Sequence, residues 1–203
     1  LSLVAGLLVS CQRTSQFTIE GIVSHAEGET LYLEHTALMQ TSVVDSCVLT
    51  AKGDFLLKAS APQYPDFYRL RIGRNSLILA IDSTEVITIT ATRDSLANTL
   101  AIENSDNTLM IAQLRAMAHA ASREDLREEA KKIIVANPRS LAAYYAVFMK
   151  QNGEYIWNIF DPSDRRMFQA VATSFHTWMP NYERTKALYT QVKEVMQVER
   201  NAT

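Results

Sequence analysis

At 203 residues the chain is long enough for one domain or two small ones, and 47% hydrophobic residues are enough to bury a core. The net charge of −2 provides no basic stripe for nucleic acid. Cys11 and Cys47 form no CxxC, and no helical spacing pairs His25, His35, His119 or His176 with one another, so no metal or other cofactor is expected.

The first segment, LSLVAGLLVSC, is too short and too abruptly polar afterwards to span a bilayer, which takes roughly 18–20 apolar residues. It has the length of a signal-peptide apolar region, and Leu8-Val9-Ser10-Cys11 resembles a bacterial lipobox. An N-terminal strand ending in an ordinary cysteine is the plainer alternative, but Gly6 and the lack of alternation speak against it. Residues 1–11 are therefore expected to be the remnant of a lipoprotein signal with Cys11 as the acylated residue, and 12–16 a tether. Such an anchor would place the protein on the envelope, facing the periplasm, and would leave Cys47 without a disulfide partner.

From residue 17 the period is two. Phe17–Val23, Thr30–Glu34, Val43–Leu49, Phe55–Lys58, Phe67–Ile72, Leu77–Ile81 and Val86–Thr90 read as strands joined by short turns. In the turn Ala51–Asp54, Gly53 is available for a positive φ. About seven strands over residues 17–100 predict an antiparallel β-sandwich or partly open barrel.

Near residue 105 the period becomes 3.6. Met110, Leu114, Met117 and Ala121 share a face, and Ser122 followed by Glu124 and Asp125 marks a second helix start. Asn137-Pro138 and Asp161-Pro162 both read as an N-cap followed by proline at the first helical position. Gly153 is expected to end the helix that Asn137 starts. Met167, Val171, Ser174, Phe175 and Trp178 share the next face, Pro180 breaks it, and a last helix runs from about Tyr182. The expected fold is α+β, with a helical region of about five helices over 101–203.

Few residues suggest chemistry. Cys47 reads either as a redox thiol or as a small buried hydrophobe on a sheet face. Arg69 and Arg71 share one strand face, as an anion site or as a solvated exterior. Asp82 and Glu85 suit a turn better than an acid–base pair. Tyr144, Tyr145, Trp157 and Trp178 belong to the richest aromatic region, which is helical core or, in part, a partner or ligand groove. With no nucleophile–base pair in view, no catalytic residue is assigned.

The order Phe17-x-Ile-x-Gly21, Asp45-Ser46-x₆-Gly53-x-Phe55, Pro65-x-Phe-Tyr68 and Glu85-x-Ile-x-Ile89, followed by NPRSLAAYYAVF and FDPSDRRMFQAVATSF, resembles a known arrangement. It is similar to the N-terminal module of Bacteroidetes lipoproteins of the thiol–disulfide oxidoreductase type (ResA/TlpA or peroxiredoxin-like). There a β-rich domain of unknown function and helices precede a thioredoxin fold. The resemblance implies a non-catalytic, membrane-anchored spacer or partner-docking module. It also implies a thioredoxin-like domain or redox partner beyond Thr203, since no W-C-x-x-C occurs in the chain. The other reading kept open is a stand-alone envelope lipoprotein that binds a peptide or glycan between its halves.

Overall fold

A computed structural model of the protein describes residues 15–96 and 101–202. The expected lipid-bearing Cys11 lies outside the described residues.

The β half is two packed sheets that do not close into a barrel. One contains β1 (Gln16–Ser24), β4 (Asp54–Ser60), β7 (Val86–Thr92) and β8 (Ala101–Glu103), in the order β4-β1-β7-β8. The other contains β2 (Thr30–Thr36), β3 (Thr41–Val48), β5 (Asp66–Ile72) and β6 (Asn75–Ile81), in the order β3-β2-β5-β6. All seven expected strands are present. β1 begins at Gln16, one residue inside the expected tether. The added strand, β8, is three residues long, too short for a period to show. Pairing is antiparallel except between β1 and β7, which run parallel. The first and seventh strands become neighbours only after the chain has crossed to the other sheet and returned.

Alternation sets the core. Phe17 and Ile19 of β1, Leu31 and Leu33 of β2, Leu70 of β5, Leu77 and Leu79 of β6, and Ile87 and Ile89 of β7 are fully buried between the sheets. Burying a side chain of this size stabilises by about 1.5–3 kcal/mol relative to leaving it exposed. β5 and β6 are covered on their other face too, where Phe67 and Ala80 join a second core built from the helices. The molecule therefore has three layers: sheet, sheet, helices.

The helices are α1 (Asp106–Ala120), α2 (Arg123–Ala136), α3 (Leu141–Val147), α4 (Pro162–Trp178) and α5 (Glu183–Ala202). Ser122 and Asp161 cap α2 and α4 as expected, with Pro162 at the first helical position of α4. Asn137-Pro138 is not a helix start. Asn137 ends α2, and its carbonyl accepts from Ser140 N at 3.0 Å across a turn. Ser140 then caps α3 through Ala143 N. Nor does Gly153 end that helix. Asn152-Gly153 forms the turn of a small hairpin, β9 (Lys150–Gln151) with β10 (Glu154–Tyr155). The dipeptide Asn-Gly is a hairpin signal, and here it outranks the C-cap reading. The buried face of α4 is Phe168, Val171, Ala172 and Phe175, while Trp178 at its end is 64% exposed. Among the described residues no helix is long and apolar enough to cross a membrane.

α1 is fastened to the edge strand β6 by one buried side chain. The Thr108 hydroxyl accepts from Ala80 N at 3.0 Å and receives the Ser105 hydroxyl at 2.8 Å. Thr108→Val keeps the shape and orphans a buried amide. It is expected to cost about 1–3 kcal/mol in urea denaturation. A Thr108→Val protein as stable as wild type would show that the contact is dispensable.

Candidate functional site

Asp66 opens β5 where the sheet meets the helices. Its Oδ1 accepts from Phe67 N at 2.8 Å, the Tyr182 hydroxyl at 2.7 Å and Arg184 Nε at 3.0 Å. His35 Nε2, from β2, lies 2.8 Å from Oδ2. Arg184 also donates from Nη2 to the Thr36 carbonyl, so α5 is tied to both β2 and β5. Asp66, Tyr182 and Arg184 are buried. Burial pushes the Asp66 carboxyl up, but the His35, Tyr182, Phe67 and Arg184 donors together outweigh it and hold the group below the usual carboxylate range. Burial and the Asp66 charge push the Tyr68 phenol up to about 12, and push Tyr182 up as well. The cluster is therefore a neutralised ion pair with un-ionised phenols around it.

Arg184 separates two clefts. One, of about 350 Å³, is almost wholly apolar; Phe67, Ile78, Tyr144, Tyr145, Phe148 and Tyr155 line it, with Leu38 and Thr36 at one side. The Arg184 guanidinium lies 5.0 Å from the Phe67 ring centre and 5.9 Å from that of Tyr144. The other cleft, of about 490 Å³, is more polar, and His35, Tyr64, Asp66, Tyr68 and Asn181 are among its walls. The aromatic cleft has the make-up of a binding groove: rigid rings, a half-buried opening and one cation whose charge is already matched.

The aromatic and arginine residues singled out from sequence lie in four places. Tyr144 and Tyr145 line the aromatic cleft. Trp157 is buried in the helical core; its indole N–H donates to the Ala146 carbonyl at 3.0 Å, and the Arg127 guanidinium stacks 4.3 Å from its ring centre. Trp178 stands exposed at the end of α4, with Arg139 5.1 Å from its ring centre. Arg69 and Arg71 lie on the outer face of the second sheet and grip Glu34 at 2.6 Å and 2.7 Å. Burial pushes the Glu34 carboxyl up, and the two guanidiniums bring it below its ordinary range. Any carboxylate site at Arg69 and Arg71 is thus filled from within the chain.

The Asp66 cluster was not visible in the sequence. His35, Tyr182 and Arg184 stand 31, 116 and 118 positions from Asp66, so no local spacing announces them. Among the described residues no group of three or more His, Cys, Asp or Glu side chains is placed to hold a metal ion.

Cys47 sits half-buried on β3, packed against the sandwich core, and burial pushes its thiol above the ordinary value. In a Cys11→Ser protein, where it is the one thiol left, Cys47 is expected to react slowly with a disulfide reagent at neutral pH and quickly in denaturant. Equal rates in the two conditions would mean that the fold does not protect it.

No curated protein and no solved structure matches the chain. A family match does exist for its first half. It begins at Phe17, takes in both sheets and stops at Ile111, inside the first helix. The matching family is described as a domain of unknown function, DUF4369, and residues 17–111 are similar to it.

Proposed function

We propose that the chain is a non-catalytic docking module of an envelope lipoprotein, anchored through Cys11 and facing the periplasm. In this reading the helical layer and the second sheet together hold an extended apolar peptide segment in the aromatic cleft. The observation that carries it is the cleft itself: about 350 Å³, lined by Phe67, Tyr144, Tyr145, Phe148 and Tyr155 and floored by a charge-matched Arg184. Rings of this kind give large contact area with little side-chain entropy to lose. The buried Asp66 cluster keeps both walls in register. The segment held belongs, on the resemblance of the chain, to a thioredoxin-like domain or to its redox client.

The test is a displayed peptide library selected on the full chain. Enriched peptides should carry apolar residues and should lose binding to a Tyr145→Ala/Tyr155→Ala protein while still binding Trp178→Ala. No enrichment, or peptides indifferent to the double substitution, rejects the reading. Mass spectrometry of native material tests the anchor: a diacylated Cys11 at the amino terminus is expected, and an unmodified one removes the membrane from the proposal.

A further inference from the structure

Away from the aromatic cleft, five segments meet around an open hollow of about 290 Å³. They bring Pro65 from the approach to β5, Asp82 from the β6–β7 turn, Asn107 from the first turn of α1, Asn137 and Arg139 from the α2–α3 turn, and Trp178 from the end of α4. Three features of the hollow are unusual together. The Trp178 indole is 64% exposed although its helix buries Phe175 one turn earlier. Arg139 leans over that ring at 5.1 Å and forms no ion pair among the described residues. Asp82 is fixed through Oδ2 by Asn107 Nδ2 at 3.0 Å, and no group among the described residues bonds its Oδ1. Asn107 is itself held, since its Oδ1 accepts from Ala142 N at 3.3 Å.

A ligand for this hollow needs an apolar face for the indole and, at its rim, groups that both accept from a guanidinium and donate to a carboxylate. Hydroxyl groups do both. A simple anion would meet Asp82, and a simple cation would meet Arg139. A saturated ring with C–H bonds on its face and hydroxyls around its edge satisfies all three residues at once. The volume is near the lower end of small-ligand sites, about 300 Å³, which suits one sugar ring with part of its neighbour. We propose that this hollow is a carbohydrate subsite: Trp178 stacks on the face of a neutral hexose unit of an oligosaccharide, and Asp82 and Arg139 hydrogen-bond its hydroxyls. The site shares no residue with the aromatic cleft, so it stands whether or not that cleft docks a peptide.

The chain has two tryptophans, and Trp157 is buried, so solvent-sensitive fluorescence reports on Trp178. The full chain is titrated with maltotetraose, cellotetraose, mannotetraose and chitotetraose. At least one should give a saturable blue shift and protect the exposed emission from acrylamide quenching. Calorimetry with that sugar should show binding weakened about tenfold or more in Trp178→Ala, which loses the ring, and similarly in Asp82→Ala. Both substitutions are at exposed positions, and an unchanged melting temperature confirms an intact fold. A saturable signal from none of the four sugars, or binding of equal strength in Trp178→Ala, overturns the assignment.

Discussion

Replacing Asp66 by alanine is expected to destabilise the protein by about 3–5 kcal/mol, a large share of a typical domain's stability. The carboxylate is the common acceptor for Tyr182, Arg184 and the Phe67 amide, with His35 on its second oxygen. Its removal strands a guanidinium whose side chain is 10% exposed. Arg184 would retain the Thr36 carbonyl, the neighbouring Tyr144 and Tyr182 phenols and the faces of two aromatic rings. None of these carries the opposing charge, and water entering from the neighbouring polar cleft supplies none either. The same group sets an acid limit. The folded carboxyl titrates below its unfolded value of about 3.9, so its contribution is complete above that value and disappears as the pH falls through the lower, folded one. Urea denaturation at a series of pH values should show wild type losing stability below about pH 4, and Asp66→Asn losing less over the same interval. An Asp66→Ala midpoint equal to wild type, or identical acid slopes in wild type and Asp66→Asn, would show that the cluster is ornamental.

The consequence for the aromatic cleft follows from where the strain would appear. Tyr182 and Arg184 stand at the start of α5, and α5 packs along α4, which carries Phe175 against Tyr144 at 5.4 Å between ring centres. Loosening α5 therefore loosens one wall of the cleft. Peptide binding by the Asp66→Asn protein should weaken before the fold is lost.

How far the sequence reveals this molecule depends on the range over which each feature is decided. A strand packed on one face writes its burial into every second residue, and Phe17, Ile19, Leu31, Leu33, Ile87 and Ile89 could be read that way. A cap acts over three residues, so Ser122 and Asp161 were readable too. Asn137-Pro138 misleads because its cap signal is as strong as that of Asp161-Pro162, and only the packing of α3 decides that the helix waits for Ser140. The two tryptophans make the same point. Both lie in aromatic-rich stretches, yet Trp157 is enclosed by Arg127 and Ala146 while Trp178 overshoots the core at a helix end. The Asp66 cluster is decided over more than a hundred positions, where no periodicity reaches. A single acidic residue before an apolar run gives no hint that a tyrosine and an arginine from the last helix will complete it.

Gly21→Ala is expected to be the more damaging of the two substitutions, with a loss beyond about 4 kcal/mol or failure to fold. Gly21 lies in the middle of β1, paired with Phe55 on one side and with Ile89 of the parallel strand on the other. Its φ is +144°, which L side chains seldom adopt, and a Cβ built there would sit 1.9 Å from the Ile89 carbonyl oxygen. That neighbour is backbone held on both sides, so nothing flexible can move aside; β1 and β7 must part. The strands that would separate carry Phe17, Ile19, Ile87 and Ile89, the centre of the sandwich. Gly28→Ala separates the two causes. Gly28 also has a positive φ, +75°, but its added methyl meets nothing within 4 Å. That substitution should cost only the backbone strain, about 1 kcal/mol or somewhat more. Guanidinium denaturation of both proteins measures the difference. Midpoints that fall together would mean that the close approach of β1 to Ile89 is relieved at little cost, and that the need for glycine at this point of the strand pair is conformational alone.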